Sequence, residues 1–318
     1  MSAHKEFSQL LEYLNNRVVG QENLNKRLLI ALLAGGHLLV EGAPGLAKTT
    51  AIKTLSECID CSYHRVQFTP DLLPADLTGT EIYVPQRQSF EFQSGPLFHN
   101  LLLADEINRA PAKVQSALLE AMGEKQITVG KKTYPLSDLF LVMATQNPIE
   151  QEGTYPLPEA QLDRFMMFIK IGYPDPKTEA KILAINRGEA LGHKFDKLSI
   201  RQKTIFDAQN QILKVKMSQA VEDYIIQLVL ATRDPGKYDA NLAKWVSFGS
   251  SPRGTIALDR TARAHAWLNG ADYVSPYDIH AVIHEVLRHR ILLTFEAEVD
   301  GVSSDDVINT LLKAVPIP

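Results

Sequence analysis

Apolar residues in the first half of the chain follow two alternating patterns, short β-rich runs and longer stretches at helical spacing. Five β-rich runs precede residue 175: His37–Val40, Tyr63–Phe68, Leu101–Ala104, Phe140–Ala144 and Phe165–Ile171. The third and fourth runs are continuously apolar, which is typical of strands that helices cover on both faces. The pattern predicts an α/β fold with a parallel five-stranded sheet sandwiched by helices.

After Gly172-Tyr173-Pro174 the strand signals fade and helical spacing dominates. One apolar stripe consists of Val221, Ile225, Leu228 and Val229. Ser275-Pro276 has the features of a helix start, and the buried face of that helix would be Ile279, Val282, Ile283 and Val286. We therefore expect two domains, an α/β core over residues 1–189 and a smaller all-α lid over residues 190–318.

Length and composition agree with two ordinary globular domains. The chain has 318 residues, 45% of them hydrophobic and 22% charged, which excludes a disordered chain. It contains no apolar run of about 18 residues, the length of a transmembrane helix. The start, Met1 to Glu6, lacks the apolar core of a signal peptide. We therefore expect a cytoplasmic protein.

The net charge of -4 is close to balanced in both halves of the chain. Such a chain has no extended basic surface for gripping long nucleic acid, although local basic pore loops in an oligomer would be compatible with it. The two cysteines, Cys58 and Cys61, are spaced C-x-x-C. A redox pair or half a zinc site is one interpretation, but a structural zinc site needs four ligands and no second cysteine pair exists. The favoured interpretation is that the two cysteines are half-buried structural residues at a helix-to-strand junction.

A glycine-rich segment follows the first predicted strand. It reads Gly42-Ala43-Pro44-Gly45-Leu46-Ala47-Lys48-Thr49-Thr50, and a helical pattern comes after it. This order is that of a phosphate-binding P-loop, in which backbone N–H groups and a helix N-terminus surround phosphate oxygens. Lys48 would reach the β- and γ-phosphates and Thr49 would ligate Mg²⁺. Ala47 replaces the usual second glycine, and its methyl group is tolerable if the residue has helical dihedral angles.

Polar residues end the next two apolar strands. Asp105 and Glu106 follow Leu101–Ala104, at the strand end where active sites of open α/β sheets lie. Asp105 suits coordination of Mg²⁺ and Glu106 suits polarisation of an attacking water; a solvated acidic turn is the alternative. Asn147 follows the fourth run and would hold the water or the γ-phosphate, unless Asn147-Pro148 is only a turn signal.

Two arginines have a structural and a catalytic interpretation. Arg164, just before the fifth run, either forms an ion pair with Asp163 or a neighbour, or acts as an arginine finger. Arg253 lies in the first turn of a helix that we expect Ser251 to cap. A cation there opposes the helix dipole, which favours a contact between Arg253 and a bound phosphate.

With these pieces in this order, the chain closely resembles the AAA+ ATPases and, within them, the MoxR family. The resemblance extends from Val18-Val19-Gly20-Gln21 to Leu287-Arg288-His289-Arg290. Its most specific stretches are Gly42–Thr49, Asp105–Pro111 and Ala144–Phe165, the last of which contains Thr145-Gln146-Asn147-Pro148-Ile149-Glu150-Gln151-Glu152-Gly153.

The resemblance implies a role for each candidate residue in an ATP site. These roles are, in chain order, the adenine-pocket residues Val19 and Gly20, the Walker A segment Gly42–Thr50, the Walker B acids Asp105 and Glu106, sensor 1 Asn147, the arginine finger Arg164 and sensor 2 Arg253. Some relatives use sensor 2 on the neighbouring subunit, so the position of Arg253 leaves action in cis or in trans open. Arg109 is a second candidate for a contact across subunits.

The resemblance also implies two inserted segments and an assembly. Relatives carry an insertion in the second helix, here around Thr80–Phe98, and a β-hairpin before sensor 1, here around Glu124–Tyr134; both face the ring pore in related enzymes. A hexameric ring of identical subunits and a partner with a von Willebrand A domain are implied. So is a chaperone-like role in assembly or cofactor insertion of a protein client.

The resulting hypothesis is Mg²⁺-dependent ATP hydrolysis that drives conformational work on a protein client. Two alternatives stay open. One is a nucleic-acid-associated AAA+ motor, against which the balanced charge argues. The other is a nucleotide-gated scaffold with little turnover, against which Glu106 argues, since a protein that only binds nucleotide would not need it.

Overall fold

The computed structural model describes residues 2–148, 153–192 and 198–318, and its centre is a five-stranded parallel sheet. The Ile-Glu-Gln-Glu stretch at 149–152, part of the third specific segment of the sequence, lies outside the described residues. The strands are β1 Leu38–Glu41, β2 Tyr63–Gln67, β3 Gly79–Val84, β4 Ser89–Ser94, β5 Leu101–Asp105, β6 Gln126–Val129, β7 Lys132–Pro135, β8 Leu141–Gln146, β9 Met167–Lys170, β10 Val246–Phe248 and β11 Leu292–Leu293.

Helices surround this sheet and form most of the chain after residue 190, where β10 and β11 also pair as a short antiparallel sheet within the part predicted to be all-α. They are α1 Ala3–Arg17, α2 Glu22–Ala34, α3 Lys48–Glu57, α4 Pro74–Thr78, α5 Ala112–Glu124, α6 Glu159–Leu162, α7 Pro176–Ala190, α8 Gln202–Ile212, α9 Gln219–Arg233, α10 Ala240–Trp245, α11 Pro252–Leu268, α12 Pro276–His280, α13 Ile283–Leu287, α14 Phe295–Val299 and α15 Ser304–Ala314.

The five predicted strands form the central sheet in the order β2-β5-β8-β1-β9, with parallel pairing throughout. Successive residues of β5 enter opposite cores, Leu101 and Leu103 on one face and Leu102 on the other. This alternation confirms a sheet that is covered on both sides. Strand β9 begins at Met167 rather than Phe165 because the preceding residues form turns, with the Phe165 N–H donating to the Leu162 carbonyl at 3.0 Å.

The helices after residue 200 pack against α1 and α2, and α13 also contacts strand β9 of the sheet directly. One apolar cluster includes Leu14 of α1, Leu28 of α2, Ile205 of α8 and Leu258 of α11. Buried polar contacts cross the same boundary: Arg27 of α2 forms an ion pair with Glu285 of α13 at 3.1 Å. The domain limits 1–189 and 190–318 stay a prediction; the boundary falls within the last turn of α7.

Two local features differ from a simple helical pattern. The helix predicted after Ser275 is two short helices, α12 and α13, although Ile279, Val282, Ile283 and Val286 are all buried as expected. The two inserted segments are antiparallel hairpins, β3–β4 and β6–β7, and Phe92 of the first stacks on Tyr134 of the second with ring centroids 4.1 Å apart. In the described part of the chain, no helix is long and apolar enough to span a membrane.

Candidate functional site

Three adjacent strands bring the predicted phosphate loop and acid pair to one edge of the sheet. Strand β8 lies between β1 and β5, and all three run in the same direction. Their last residues are Glu41, Gln146 and Asp105. The P-loop therefore follows β1 directly beside Asn147, which is buried after β8, and close to Asp105 and Glu106.

The backbone of the P-loop is left-handed at two positions, one of which is Ala47. Gly45 has φ +83°, and Ala47 has φ 57° and ψ 18°, so both adopt left-handed conformations. Ala47 precedes α3, whose first residue is Lys48. The condition that Ala47 has right-handed helical dihedral angles is therefore not met. The methyl group is held in a region that disfavours residues with a Cβ atom.

Lys48 folds back over the loop that precedes it. Its Nζ atom donates to the carbonyl oxygen of Gly42 and, at 3.2 Å, to that of Ala43. Burial lowers the pKa of Lys48, and the charges of three nearby carboxylates oppose that shift, those of Asp105, Glu106 and Glu41. The ammonium group is therefore held at the loop and within electrostatic range of the acid pair.

A cavity of about 560 Å³ adjoins the loop. Six of the predicted nucleotide-binding residues line it: Val19, Gly45, Leu46, Ala47, Thr49 and Thr50. Its opposite wall comes from α7, which contributes Ile182, Ile185 and Asn186. Gly20 has φ +81°, and a Cβ atom there would lie 2.4 Å from Cγ2 of Thr178, so the turn that carries Val19 requires glycine. Because this cavity opens between a phosphate loop and apolar side chains, it suits a nucleotide.

The Val18–Gly20 turn is fixed by a residue that the sequence analysis did not identify. Asn25, fully buried in α2, donates through Nδ2 to the Val18 carbonyl at 3.2 Å and to Asn15 Oδ1 at 3.0 Å. No local motif marks Asn25, since its partners lie in the preceding helix and loop. A buried Asn at an otherwise apolar helix position is the one sequence signal that could have indicated it.

The acid pair is organised by Thr145 of β8. The Thr145 hydroxyl donates to Asp105 Oδ1 at 2.6 Å and accepts from the Glu106 N–H at 2.9 Å. Glu106 has φ 57° and ψ 50°, a left-handed conformation, which turns its side chain out of the strand direction. A strained non-glycine residue at a strand end is a feature of functional sites.

Three further side chains bind the two carboxylates. Arg65 of β2 forms an ion pair with Asp105, with Nη2 2.7 Å from Oδ2. Gln67 donates to Glu106 Oε2 at 2.7 Å, and Arg109 lies 3.0 Å from the same oxygen. Arg109 is a candidate from the sequence, whereas Arg65 and Gln67 are found only in the structure. The sequence feature that could have indicated Arg65 and Gln67 is a pair of polar residues at alternate positions near the end of a strand.

The two predicted arginines lie at the amino ends of the strands, whereas the P-loop lies at their carboxyl ends. Arg164 and Arg253 line a separate cavity of about 250 Å³ together with Gly36 and His37, which immediately precede β1. Arg164 donates through Nη1 to the Leu119 carbonyl of α5. The four residues of β1 separate this cavity from the P-loop by about 13 Å of strand.

Arg253 is in the first turn of α11, and Ser251 caps this helix as predicted, with its Oγ accepting from the Arg253 N–H at 3.1 Å. The structure also gives a partner for this unfavourably placed cation. Asp163 Oδ2 lies 3.5 Å from Arg253 Nη1 and accepts from the Ser251 hydroxyl at 2.8 Å. Asp163 therefore links the first turn of α11 to the segment that carries Arg164.

Arg290, which the sequence analysis did not single out, holds that segment from the other side. Its buried guanidinium forms an ion pair with Asp163 at 2.9 Å and donates to the carbonyls of Asp163, Phe165 and Met166. Burial lowers the pKa of Arg290 to about 10, and the charge of Asp163 opposes that shift. The neighbouring His289 also donates to the segment, with Nε2 3.0 Å from the Phe165 carbonyl oxygen.

The two cysteines lie between α3 and β2, at the helix-to-strand junction that the structural interpretation predicts. Both are free thiols, Cys58 buried and Cys61 half-buried. Burial is the main cause that raises the pKa of each to about 11, and nearby carboxylates add to it. Thiols with such pKa values are poor nucleophiles and poor metal ligands at neutral pH.

The oxygen donors beside the loop fit Mg²⁺. Thr49 offers a hydroxyl and Asp105 a carboxylate, and Mg²⁺ typically takes one or two protein oxygens and completes its shell with water and substrate phosphates. In the described ranges, no group of three or more His, Cys, Asp or Glu side chains could hold a metal by itself. Thr49 and Asp105 would therefore hold the ion jointly with a bound nucleotide.

Comparison with known proteins gives matches over nearly the whole chain. Residues 37–167 match the ATPase family associated with various cellular activities (AAA), and residues 240–311 match the AAA lid domain. The chain is 46% identical over 305 residues to the protein named Chaperone MoxR1 of Mycobacterium tuberculosis. This match covers 95% of this chain and 79% of that protein. It is 31% identical over 323 residues to Protein MoxR of Methylorubrum extorquens, covering 95% and 92% of the two chains.

A solved structure is also similar along the full length. The crystal structure of a candidate ATPase from Cytophaga hutchinsonii superposes with a TM-score of 0.92 at 47% identity. The match covers 99% of this chain and 96% of that one.

Proposed function

The chain belongs to the MoxR family of AAA+ ATPases, and we propose that it hydrolyses ATP in a Mg²⁺-dependent reaction and uses the energy to remodel a protein client. One observation carries the catalytic part of this proposal. A glycine loop with Lys48, an acid pair and the buried Asn147 lie at the carboxyl ends of three adjacent parallel strands, and Gly45–Ala47 of the loop line a cavity of about 560 Å³. Those are the groups that phosphoryl transfer from a nucleotide requires.

Each group has a defined task in this proposal. Backbone N–H groups of the loop and Lys48 bind the β- and γ-phosphates, and Val19 and Gly20 lie against the base. Thr49 and Asp105 would hold Mg²⁺, which would supply positive charge to neutralise the developing phosphate charge. Glu106 polarises the attacking water, and Asn147 positions that water or the γ-phosphate.

The two arginines act on a neighbouring subunit in this proposal. Arg164 and Arg253 share the cavity at the far edge of the sheet, and an arginine side chain cannot extend across β1 to its own P-loop. A ring of identical subunits, which we expect to be hexameric, would bring this edge of one subunit to the nucleotide of the next. Arg109, which binds Glu106, is a further contact candidate at that interface.

The client part of the proposal derives from family membership, since a 46% identical relative carries the name of a chaperone. We propose a chaperone-like role in assembly or cofactor insertion, with a partner that contains a von Willebrand A domain. A cytoplasmic location stays the prediction made from the sequence. Affinity capture with a Glu106→Gln subunit in the presence of ATP would identify such partners, because slow hydrolysis prolongs the bound state.

Nucleotide binding and turnover are tested with two substitutions. Lys48→Ala is expected to abolish ATP binding, whereas the exposed Lys113→Ala on α5 serves as a control with normal affinity. Glu106→Gln is expected to bind ATP and to hydrolyse it at least about 100-fold more slowly. Micromolar ATP affinity in Lys48→Ala would contradict the P-loop assignment. Near-normal turnover in Glu106→Gln would show that another residue orients the water.

The same assays separate the alternative functions. A nucleic-acid-associated motor would change its ATPase rate when DNA is added, and we expect no change because neither half of the chain is basic. A scaffold with little turnover would show the same slow rate before and after Glu106→Gln.

A further inference from the structure

Arg65 occupies the carboxylate that the proposed function assigns to Mg²⁺. Strand β2 is an edge strand, and its pairing with β5 sets Gln67 opposite Asp105. Arg65, two residues earlier on the same face, directs two N–H groups to a single oxygen of Asp105. Nε lies 3.1 Å and Nη2 lies 2.7 Å from Oδ2.

The other oxygen of the carboxylate is also engaged. Asp105 Oδ1 accepts from the Thr145 hydroxyl at 2.6 Å. A carboxylate offers about four lone-pair positions, so these three hydrogen bonds leave little capacity for a further ligand. A cation that approaches Asp105 from the P-loop must share or displace one of these partners. Thr145 is fully buried, and it also accepts from the backbone of Glu106, so it is not free to leave.

Arg65 is the partner that can leave. Half of its side chain is exposed, whereas that of Asp105 is only 11% exposed. The exposed guanidinium group is readily hydrated when it leaves, so its departure is of small cost provided that another cation takes its place beside Asp105. The buried carboxylate, in contrast, needs a cation at all times, because an unpaired buried charge is strongly unfavourable.

We propose that Arg65 is the counter-ion of Asp105 in the absence of metal and that it competes with Mg²⁺ for this carboxylate. A higher Mg²⁺ concentration is therefore needed before nucleotide and Mg²⁺ bind together. The inference rests on the proposed function, in which Asp105 is a Mg²⁺ ligand. It goes beyond that function by assigning Arg65 a role in the metal dependence. Removal of Arg65 strengthens Mg²⁺ binding, whereas a residue that only orients Asp105 would weaken it when removed.

The test measures ADP affinity by calorimetry over a series of buffered free Mg²⁺ concentrations, in the wild-type protein and in Arg65→Gln. We expect the free Mg²⁺ concentration at the midpoint of the affinity change to fall about three- to tenfold in Arg65→Gln. Arg65→Lys keeps the charge and loses the two-pronged contact, so its midpoint is expected between the two. Lys237→Gln removes a cation paired with Asp234 far from the acid pair and is expected to leave the midpoint unchanged.

The outcomes separate the two levels of the proposal. An unchanged or higher midpoint in Arg65→Gln overturns the role of Arg65 as a competitor while leaving the nucleotide site intact. A wild-type midpoint in Arg65→Lys would attribute the shift to net charge alone and would also overturn it. If the wild-type protein binds no ADP at any Mg²⁺ concentration, the proposed function itself fails, and the inference fails with it.

Discussion

At the scale of single residues, the P-loop retains strain at Ala47. Its left-handed φ of 57° costs a residue with a Cβ atom about 1–2 kcal/mol relative to glycine. The remainder of the loop, with Gly45 at φ +83°, uses glycine where the same hand is needed. Compared with glycine, the alanine therefore lowers the conformational freedom of the unfolded chain but introduces strain into the native state.

This strain can be measured with matched glycine substitutions in one segment. Ala47→Gly is expected to leave the free energy of unfolding unchanged or to raise it by up to about 1 kcal/mol, because relief of strain outweighs the entropy gained by the unfolded chain. Ala51→Gly, four residues on inside α3, is the control and should lower it by about 1 kcal/mol or more. Urea unfolding of both variants decides the matter. Equal destabilisation by the two substitutions would show that Ala47 is not strained.

A buried histidine makes stability depend on pH. His37 lies before β1, accepts from the Val142 N–H at 3.0 Å, and burial lowers its pKa to about 4. In the unfolded chain its pKa is about 6.5, so the unfolded state binds more protons between these two values. The free energy of unfolding must therefore fall as the pH is lowered from 6.5 towards 4.

Substitution of His37 isolates this contribution. An asparagine can still accept from the Val142 N–H but does not titrate, so His37→Asn is expected to lose less stability between pH 7 and pH 5 than the wild type. The difference should be about 2 kcal/mol. Urea unfolding at both pH values measures it, with His284→Asn on α13 as the control. Parallel pH dependence in the wild type and His37→Asn would contradict the assignment.

At the scale of elements, local patterns predicted what local forces determine. The five strands and the cap at Ser251 follow from apolar runs and from one hydrogen-bonding side chain, and both are in the structure. Arg65 and Asp105, in contrast, are forty positions apart and meet because β2 pairs with β5. No run of sequence specifies that register, so contacts between strands could not be predicted.

The α6–β9 connection shows the same limit. Asp163 and Arg164 are neighbours in the sequence, yet the residues that surround them come from distant elements. Arg290, after α13, donates hydrogen bonds to three carbonyls of this segment. Ser251 and Arg253, at the start of α11, bind Asp163. The helical part of the chain thus fixes the position of the predicted arginine finger.

We therefore expect Arg290 to support turnover without contributing to nucleotide affinity. Arg290→Lys keeps the charge but loses most of the hydrogen bonds that fix residues 163–166, and it should lower the ATPase rate about tenfold or more. The dissociation constant for ADP should stay within about twofold, since the cavity that would hold ADP is at the other edge of the sheet. Steady-state kinetics and calorimetry give the two quantities.

Arg263→Lys is the matched control for this experiment. Arg263 forms ion pairs with Asp259 and Glu222, both within the helical part of the chain, so its loss should affect neither quantity. A parallel loss of ADP affinity in Arg290→Lys would show general unfolding of the subunit rather than displacement of Arg164.

At the scale of the whole molecule, the sheet divides the proposed ATP site into two separated halves. Lys48, Asp105 and Glu106 follow the carboxyl ends of the strands, whereas Arg164 and Arg253 lie together where β1 and β9 begin. We therefore predict that the arginines of one subunit act on the nucleotide of a neighbouring subunit. If the arginines take part in hydrolysis, each complete site must therefore combine two subunits.

Mixed assembly tests this division directly. Arg164→Ala and Glu106→Gln subunits are each expected to be inactive as uniform assemblies. In a mixture, an interface that joins the intact acid pair of an Arg164→Ala subunit to the intact arginine of a Glu106→Gln subunit is complete, so part of the ATPase activity should return. A mixture of Arg164→Ala with the double variant contains no complete interface and should stay inactive. Native mass spectrometry verifies mixing and the expected hexamer. Absence of rescue at every ratio, with mixed rings present, would place Arg164 outside the shared site.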